Sequence, residues 1–386
     1  MTQQKLILTA LSGLALVGVT FGMARYGYGL YLPRFVQTYG LNKTAQGLIG
    51  SGSYAGYLVA TLFASWGAGR FGPKILLMLS AIAAALGTAL VAEAHSALML
   101  AVGVIIAGAS PGIIFPALSE WVSMVADEKQ KNSLFTIMNS GTGAGIVVSA
   151  GLVAFTSVSV SHAWWLFSVC AVVFGILAAW LAPGGKAINA HQAEVFQFKD
   201  LLLAKAWSLY GVAVIAGFVT AIYWTFSVDT ISHSLSGKLG DTDPALIFWI
   251  ATGFFGFVGA LAGDAINNRG LGNVLALTMF AIAIALALLG MVPDNLPLVL
   301  VSGVIFGAAF IFITGLLGVW SMAIFPNRPS AAFGVTFLLF TAGAAAGPAL
   351  SGLLAAGHGQ ALVFNLAACI ALAPCLAWSS ANRAVA

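Results

Sequence analysis

The run LILTALSGLALVGVTFGMARYGYGLYLP, Leu6 to Pro33, carries a single charged side chain, Arg25. A helix that crosses a bilayer needs about 20 apolar residues, and this run exceeds that before it reaches a helix-breaking proline. It is too long for the apolar core of a signal peptide and continues past Arg25 without a small-residue cleavage site, so it is expected to remain as a membrane span. The whole chain agrees. Of its 386 residues 60% are hydrophobic and 7% charged, whereas soluble domains carry roughly a quarter charged residues. Such a chain cannot cover itself with a hydrated surface, and a polytopic membrane protein is predicted.

Runs of sufficient length, divided by charges, prolines and glycine-rich turns, predict twelve spans. They lie near 6–36, 45–68, 74–94, 97–125, 133–158, 162–183, 203–230, 244–264, 272–292, 296–323, 330–356 and 359–381. The polar interval around Pro183 to Lys205 falls in the middle. It divides the chain into an N-terminal six-helix half (1–183), a cytoplasmic linker (184–202) and a C-terminal six-helix half (203–386).

Charge placement predicts the orientation. With the N-terminus in the cytoplasm, inside segments hold Lys5, Arg70, Lys74, Lys129, Lys131, Lys186, Lys199, Lys205, Arg269, Arg328 and Arg383. Outside segments hold Arg34, Lys43 and Lys238, and Arg25 is left within the membrane. That bias follows the positive-inside rule and puts both termini in the cytoplasm. The net charge of +4 is scattered over short loops and forms no nucleic-acid patch.

The halves repeat each other at an offset of about 200. Gly56-Tyr57 matches Gly256-Phe257, Gly72 matches Gly272, and Gly103-Val104-Ile105 matches Gly303-Val304-Ile305. Trp121 to Met124 resembles Trp320 to Met322, and Gly151 to Ala154 resembles Gly352 to Ala355. Along the second span, Gly52, Gly56, Ala60, Ala64 and Ala68 form a small-residue stripe suited to close helix contact.

The turn Gly69-Arg70-Phe71-Gly72-Pro73-Lys74 resembles the end of the Gly-x-x-x-Asp-Arg-x-Gly-Arg-Lys signature of the major facilitator superfamily. Arg70, Gly72 and Lys74 fit that conformational turn, while Ser65, Gly69 and Pro73 stand where glycine, aspartate and arginine are usual. The string FGMARYGYGLYLP resembles a YbfB/YjiJ-like bacterial branch of the same superfamily. The resemblance implies an all-α integral membrane protein in the bacterial inner membrane, with twelve transmembrane helices in two pseudo-symmetric six-helix halves. It also implies that the first and fourth helices of each half line a central path. The superfamily's drug-antiporter signature ends its fifth helix in Gly-Pro. Here Gly141-Thr142-Gly143-Ala144-Gly145-Ile146 lacks the proline, and Gly347-Pro348 occurs in the eleventh span instead.

Arg25 is the first candidate for chemistry. An arginine at mid-bilayer costs about 2.5–3.5 kcal/mol on insertion scales and must face a cavity or a partner. Its guanidinium can clasp a carboxylate with two hydrogen bonds. Phe21, Gly22 and Tyr28 are expected on its helical face, with Gly22 and Gly29 leaving room beside it. The competing reading is a permanent structural pair. The matching place in the second half, Tyr223-Trp224-Thr225, has no charge, which favours substrate contact. Tyr223, Trp224 and Phe226 are candidates for an aromatic wall to the same site.

Two carboxylates are candidates for proton coupling. Glu120, in the fourth span, is either a proton carrier or a structural partner of the Arg70/Lys74 turn. Asp229, near the outer end of the seventh, is either a gate residue or a hydrated helix end. Ser110-Pro111-Gly112 predicts a kink in the fourth span. The histidines and the three cysteines show no metal spacing, and no phosphate-binding loop is present, so no metal, cofactor or ATP-driven enzyme is implied.

The sequence thus predicts a secondary transporter that moves a small organic anion, with the proton as coupling ion. The alternative is a proton-driven exporter of hydrophobic drugs or metabolites. The expected partners are a small anionic substrate, protons and the lipid bilayer. A monomer is expected, because twelve spans can enclose a complete path.

Overall fold

The computed structural model describes residues 3–155, 159–185, 204–235, 243–325 and 329–385. Most of the predicted linker, together with Lys186, Lys199, Lys238 and Arg328, lies outside them.

These residues form helices throughout. They are α1 (Gln4–Tyr39), α2 (Lys43–Ala64), α3 (Arg70–Ala92), α4 (Ala97–Val125), α5 (Glu128–Phe155) and α6 (Val160–Leu181). The series continues with α7 (Trp207–Ser234), α8 (Pro244–Phe255), α9 (Leu271–Met291), α10 (Leu296–Ile324), α11 (Pro329–His358) and α12 (Gln360–Leu372, extended by turns to Val385). Among the described residues, ten helices are long and apolar enough to cross a membrane, and two shorter apolar stretches are Ile137–Leu152 and Pro244–Gly259. The shortness of α8 is local. After Phe255 it tightens into a 3₁₀ segment, Gly256–Leu261, before resuming as Ala262–Arg269.

Boundaries follow local chemistry. Ser96 and Asn295 cap α4 and α10 by accepting from the amides of Met99 and Leu298. Asp243 caps α8 with Pro244 at its first position. Near the start of α3 the chain kinks at Gly72, whose φ of 74° and ψ of 168° are open only to glycine, and Pro73 disfavours a helical conformation at the residue before it. The α8–α9 turn uses the same geometry at Gly270 (φ 80°, ψ 149°). The structural counterpart of Gly72 is therefore Gly270, not Gly272. Gly272 instead donates its amide to Asn382 Oδ1, which seats the end of the chain on that turn.

The chain divides into two compact units: Met1–Gly40 with Gly52–Glu194, and Leu41–Ser51 with Val195–Ala386. Within each, helices meet backbone to backbone at glycines. In the first, Gly141 and Gly145 of α5 leave no space for a Cβ against the backbone of Leu14 and Gly18, and Gly22 is pressed onto Gly145. Gly108 and Gly112 of α4 approach α2 in the same way at Ser53 and Tyr57. In the second, Gly217 of α7 meets Phe340 O, and Gly343 of α11 meets Val214 O. In α4, Pro111 cannot donate to Ala107 O, and the Ser110 hydroxyl donates to that carbonyl instead at 2.7 Å.

Without a hydrophobic drive between helices in lipid, these close approaches carry much of the packing. Gly217→Ala is expected to lower the thermal midpoint of the purified protein by several degrees, because the added methyl meets backbone. Gly211→Ala, in the same helix with open space around it, is expected to leave the midpoint unchanged or raise it, by about 1 kcal/mol of helix propensity. Thermal unfolding in detergent separates the two.

Candidate functional site

Arg25 ends a π-helical segment, Gly18–Arg25, inside α1. The amide of Tyr26 donates to Phe21 O at 2.9 Å, a five-residue return in place of the usual four. Such wide turns inside α-helices are frequent at functional sites. The glycines explain how this one is accommodated, since Gly18 and Gly22 let α5 close over the widened turn. Gly22 is therefore filled by α5 and does not leave room beside Arg25, as the sequence suggested.

The wide turn also changes which rings face the arginine. The central carbon of the guanidinium lies over the rings of Phe21 and Tyr26, five residues apart, at 5.6 and 5.8 Å from their centroids. Tyr28 turns away and stacks on Phe35 at 6.1 Å. Two further rings come from α2: Tyr54 at 4.5 Å and Tyr57 at 4.2 Å. Phe115 of α4 extends the cluster, 4.9 Å from Phe21.

In the sequence neither Tyr54 nor Tyr57 is assigned to the site, and Tyr57 is named only as part of the repeat. The available signal was two tyrosines three apart, hence on one face, beside the small-residue stripe of α2. Gly108 and Gly112 press that stretch of α2 onto α4 and fix where the rings sit.

Arg25 is 8% exposed, and its Nε–H has no hydrogen-bond partner. No ion pair involves it among the described residues. Four aromatic faces stabilise the cation through their quadrupoles, which explains how a guanidinium resides here without a carboxylate. The five residues of the cluster each keep 6–8% of their surface, so the site is not sealed.

The aromatic residues of α7 differ. Tyr223 and Phe226 are fully buried. The Tyr223 hydroxyl pairs with Ser302 Oγ at 2.7 Å, Ser302 donates to Ala285 O, and the ring stacks on Phe306. Trp224 packs against Trp249, Phe306 and Phe310. Tyr223 and Phe226 thus have no free surface for a substrate, because their rings form the packing of the second unit.

Of the carboxylates, Glu120 is buried in α4 beside the sealed indole of Trp121. Asp229 is fully buried, not the hydrated end of a helix. Lys43 donates to its Oδ2, and His233 Nε2 lies 3.4 Å from Oδ1. Lys43 reaches it because Leu41–Ser51 belongs to the second unit. Gly47 packs on the Pro348 carbonyl, Gly352 on that of Lys43, and Gly50 on Thr225. Ser51 Oγ accepts from the Ala349 amide at 2.8 Å, just after the proline that disrupts α11. Arg70 and Lys74 are exposed at the Gly72 turn.

The chain belongs to the Major Facilitator Superfamily, whose family model matches residues 14–348. That superfamily is one of membrane transporters, not of enzymes. The gentisate transporter of Corynebacterium glutamicum is 26% identical over 61% of this chain and 57% of its own length, so the chain spans little more than half of that relative. The hexuronate transporter of Bacillus subtilis is 23% identical over 88% of this chain and 86% of its own. The crystal structure of the nucleoside transporter NupG shares the fold with a TM-score of 0.75, at 14% identity and 98% coverage of both chains. A bacterial homolog of the human lysosomal transporter Spinster does so with a TM-score of 0.74, at 14% identity over 100% of this chain and 98% of that one. The protein is a multi-pass membrane protein with the twelve-helix fold of this superfamily.

The pair at Asp229 yields an asymmetric prediction. Lys43 is 29% exposed and can rehydrate, whereas Asp229 cannot. Lys43→Met strands a buried carboxylate and is expected to cost on the order of 3 kcal/mol. Asp229→Asn is expected to cost less, and the double variant to recover most of the loss. Thermal unfolding of the three variants checks the order, and equal losses with no recovery would rule the coupling out.

Proposed function

We propose that the protein is a secondary active transporter that moves a small organic anion across the bacterial cytoplasmic membrane by alternating access, with Arg25 as the anchor. The observation that carries this reading is a buried guanidinium that, among the described residues, is held by aromatic rings and not by a carboxylate, with one N–H donor left without an acceptor. A buried donor without a partner is costly, and a substrate carboxylate supplies the missing acceptor together with the neutralising charge. Phe21 belongs to that contact, with Tyr26, Tyr54 and Tyr57. The gentisate and hexuronate transporters, relatives named for organic anions, support the substrate class.

Anion binding removes an uncompensated charge from the membrane interior. That is a differential interaction of the kind needed to bias two conformations. The halves 1–183 and 203–386, joined by the segment 184–202, are the bodies that move, with both termini in the cytoplasm and a single chain as the working unit. Asp229 and Glu120 are the proton-carrying candidates. A proton on Asp229 competes with Lys43 for the same carboxylate, so its uptake loosens the grip of Leu41–Ser51 on α7 and α11. The Arg70–Gly72–Lys74 turn accommodates the movement between α2 and α3.

The test is uptake into proteoliposomes under an imposed pH gradient, with carboxylates, cations and neutral solutes in parallel. Wild type is expected to accumulate a carboxylate, and Arg25→Gln to lose at least about tenfold in apparent affinity while remaining folded. Transport of cations or neutral solutes that survives Arg25→Gln would instead identify an exporter of hydrophobic compounds.

A further inference from the structure

Asp229 is fully buried on α7, and its two carboxylate oxygens are served unequally. Lys43 donates to Oδ2, whereas Oδ1 has no hydrogen-bond partner. His233 Nε2 stands 3.4 Å from Oδ1, one helical turn further along α7. That distance lies just beyond a hydrogen bond. The His233 side chain is 65% exposed, so it has room to swing inward and close the gap. A buried oxygen without a donor is costly, and the side chain placed to supply one also meets the solution.

Water does not reach Asp229 directly, because none of its surface is exposed. A proton must therefore arrive through a side chain in contact with it. Among the described residues, the charged and titratable groups against the carboxylate are Lys43, from the start of α2, and His233. The elements packed on α7 bring further groups to the same side of the protein: Asp243 before α8, Asp294 before α10 and His358 at the end of α11. Asp243 is engaged in capping α8. Lys43 carries protons but is a poor source of them. Ammonium groups hold a proton about four pH units more tightly than imidazoles, so a lysine yields it to a carboxylate at far greater cost. Imidazole changes charge near neutral pH.

We propose that His233 is the proton-transfer residue that loads Asp229 from the outer solution. This rests on the reading of Asp229 as a proton carrier, with cytoplasmic termini that put the end of α7 outside, and it adds the route by which the proton arrives. His233 first takes a proton from the outer solution, and the imidazolium then has N–H on both ring nitrogens. The Nε2–H bond breaks, the proton bonds to Asp229 Oδ1, and the imidazole is left neutral with Nδ1–H. The carboxyl is then neutral, and the Lys43 ammonium, 29% exposed, loses its counter-charge and turns to water. The oxygen that accepts the proton is not the one that holds Lys43. Proton uptake therefore needs no prior rupture of the ion pair.

The experiment follows the infrared band of the protonated Asp229 carboxyl, using the full chain in detergent. The sample is dropped from about pH 8 to about pH 5, across the ordinary histidine range. Loss of the band in Asp229→Asn identifies it. His233→Ala is expected to slow its appearance at least about tenfold. Imidazole added to the buffer can enter the space left by the ring, and is expected to restore the rate. A purely structural role would give no such rescue. His233→Gln fills that space with a side chain that carries no proton, and is expected to stay slow with imidazole present. Both variants are expected to unfold at the wild-type temperature, because the ring they remove is exposed.

Loading at the wild-type rate in either variant, or a slow rate in His233→Ala that imidazole does not restore, would overturn the relay and leave Asp229 as the carrier. A wild type with no band that depends on Asp229 would overturn the carrier reading and this inference with it.

Discussion

Close contact between helix backbones is the constraint on which the rest of this structure depends. In lipid the side chains of neighbouring helices gain nothing by leaving the solvent, because the solvent is as apolar as they are. What remains is dispersion and short backbone approach, and glycine supplies it wherever a Cβ would collide with a carbonyl. The α1–α5 contact at Gly18, Gly22 and Gly145 and the α2–α4 contact at Gly108 and Gly112 do more than pack. They fix the two helices, α1 and α2, that contribute Arg25 and the rings around it. The site is accurate because the backbones beneath it cannot slide without a clash.

On that frame the protein meets the cost of a buried arginine in an unusual way. A carboxylate at salt-bridge distance would neutralise Arg25 permanently and leave it nothing to do. Four aromatic faces stabilise the cation without neutralising its charge, and they leave its Nε–H without an acceptor. The π-helical turn contributes by bringing Phe21 and Tyr26, which a regular helix would point in different directions, to the same guanidinium. Asp229 presents the opposite solution. It is a fully buried charge answered by Lys43 and approached by His233, held where Leu41–Ser51 reaches α7 and α11.

Much of this was legible in the sequence, and what was missed has a physical cause. Apolar runs of about 20 residues locate spans well because the bilayer fixes their length, and Arg25 stood out because a lone charge in such a run is costly. Tyr28 was placed beside Arg25 by 3.6-residue periodicity, which a π turn violates, so Tyr26 takes that position. Tyr54 and Tyr57 share one face of α2, but their pairing with Arg25 is not legible locally because that partner lies on another helix. The Lys43–Asp229 pair joins residues 186 apart in sequence, beyond any local pattern. Gly72 was matched to Gly272 by counting at a fixed offset, whereas the backbone assigns the role to Gly270, where φ is 80°.

The two halves, similar in helix order and in their glycine contacts, diverge where chemistry is concerned. At the position that the sequence repeat matches to Arg25, the second half carries Tyr223, Trp224 and Thr225, and the hydroxyl of Tyr223 is spent on Ser302. Its rings stack on one another: Tyr223 on Phe306, and Phe306 on Phe310. The same residue class thus plays two parts. Around Arg25 aromatic faces hold a charge and keep some surface open, and around Tyr223 they close a core. The repeat supplies a common shape to both halves, and in the proposed function a single arginine with the tyrosines of α2 sets one of them apart as the binding surface. A purely architectural arginine should recur in the second half, since the packing problem is the same there. Its absence from that half is the strongest argument in the sequence that Arg25 answers to a ligand.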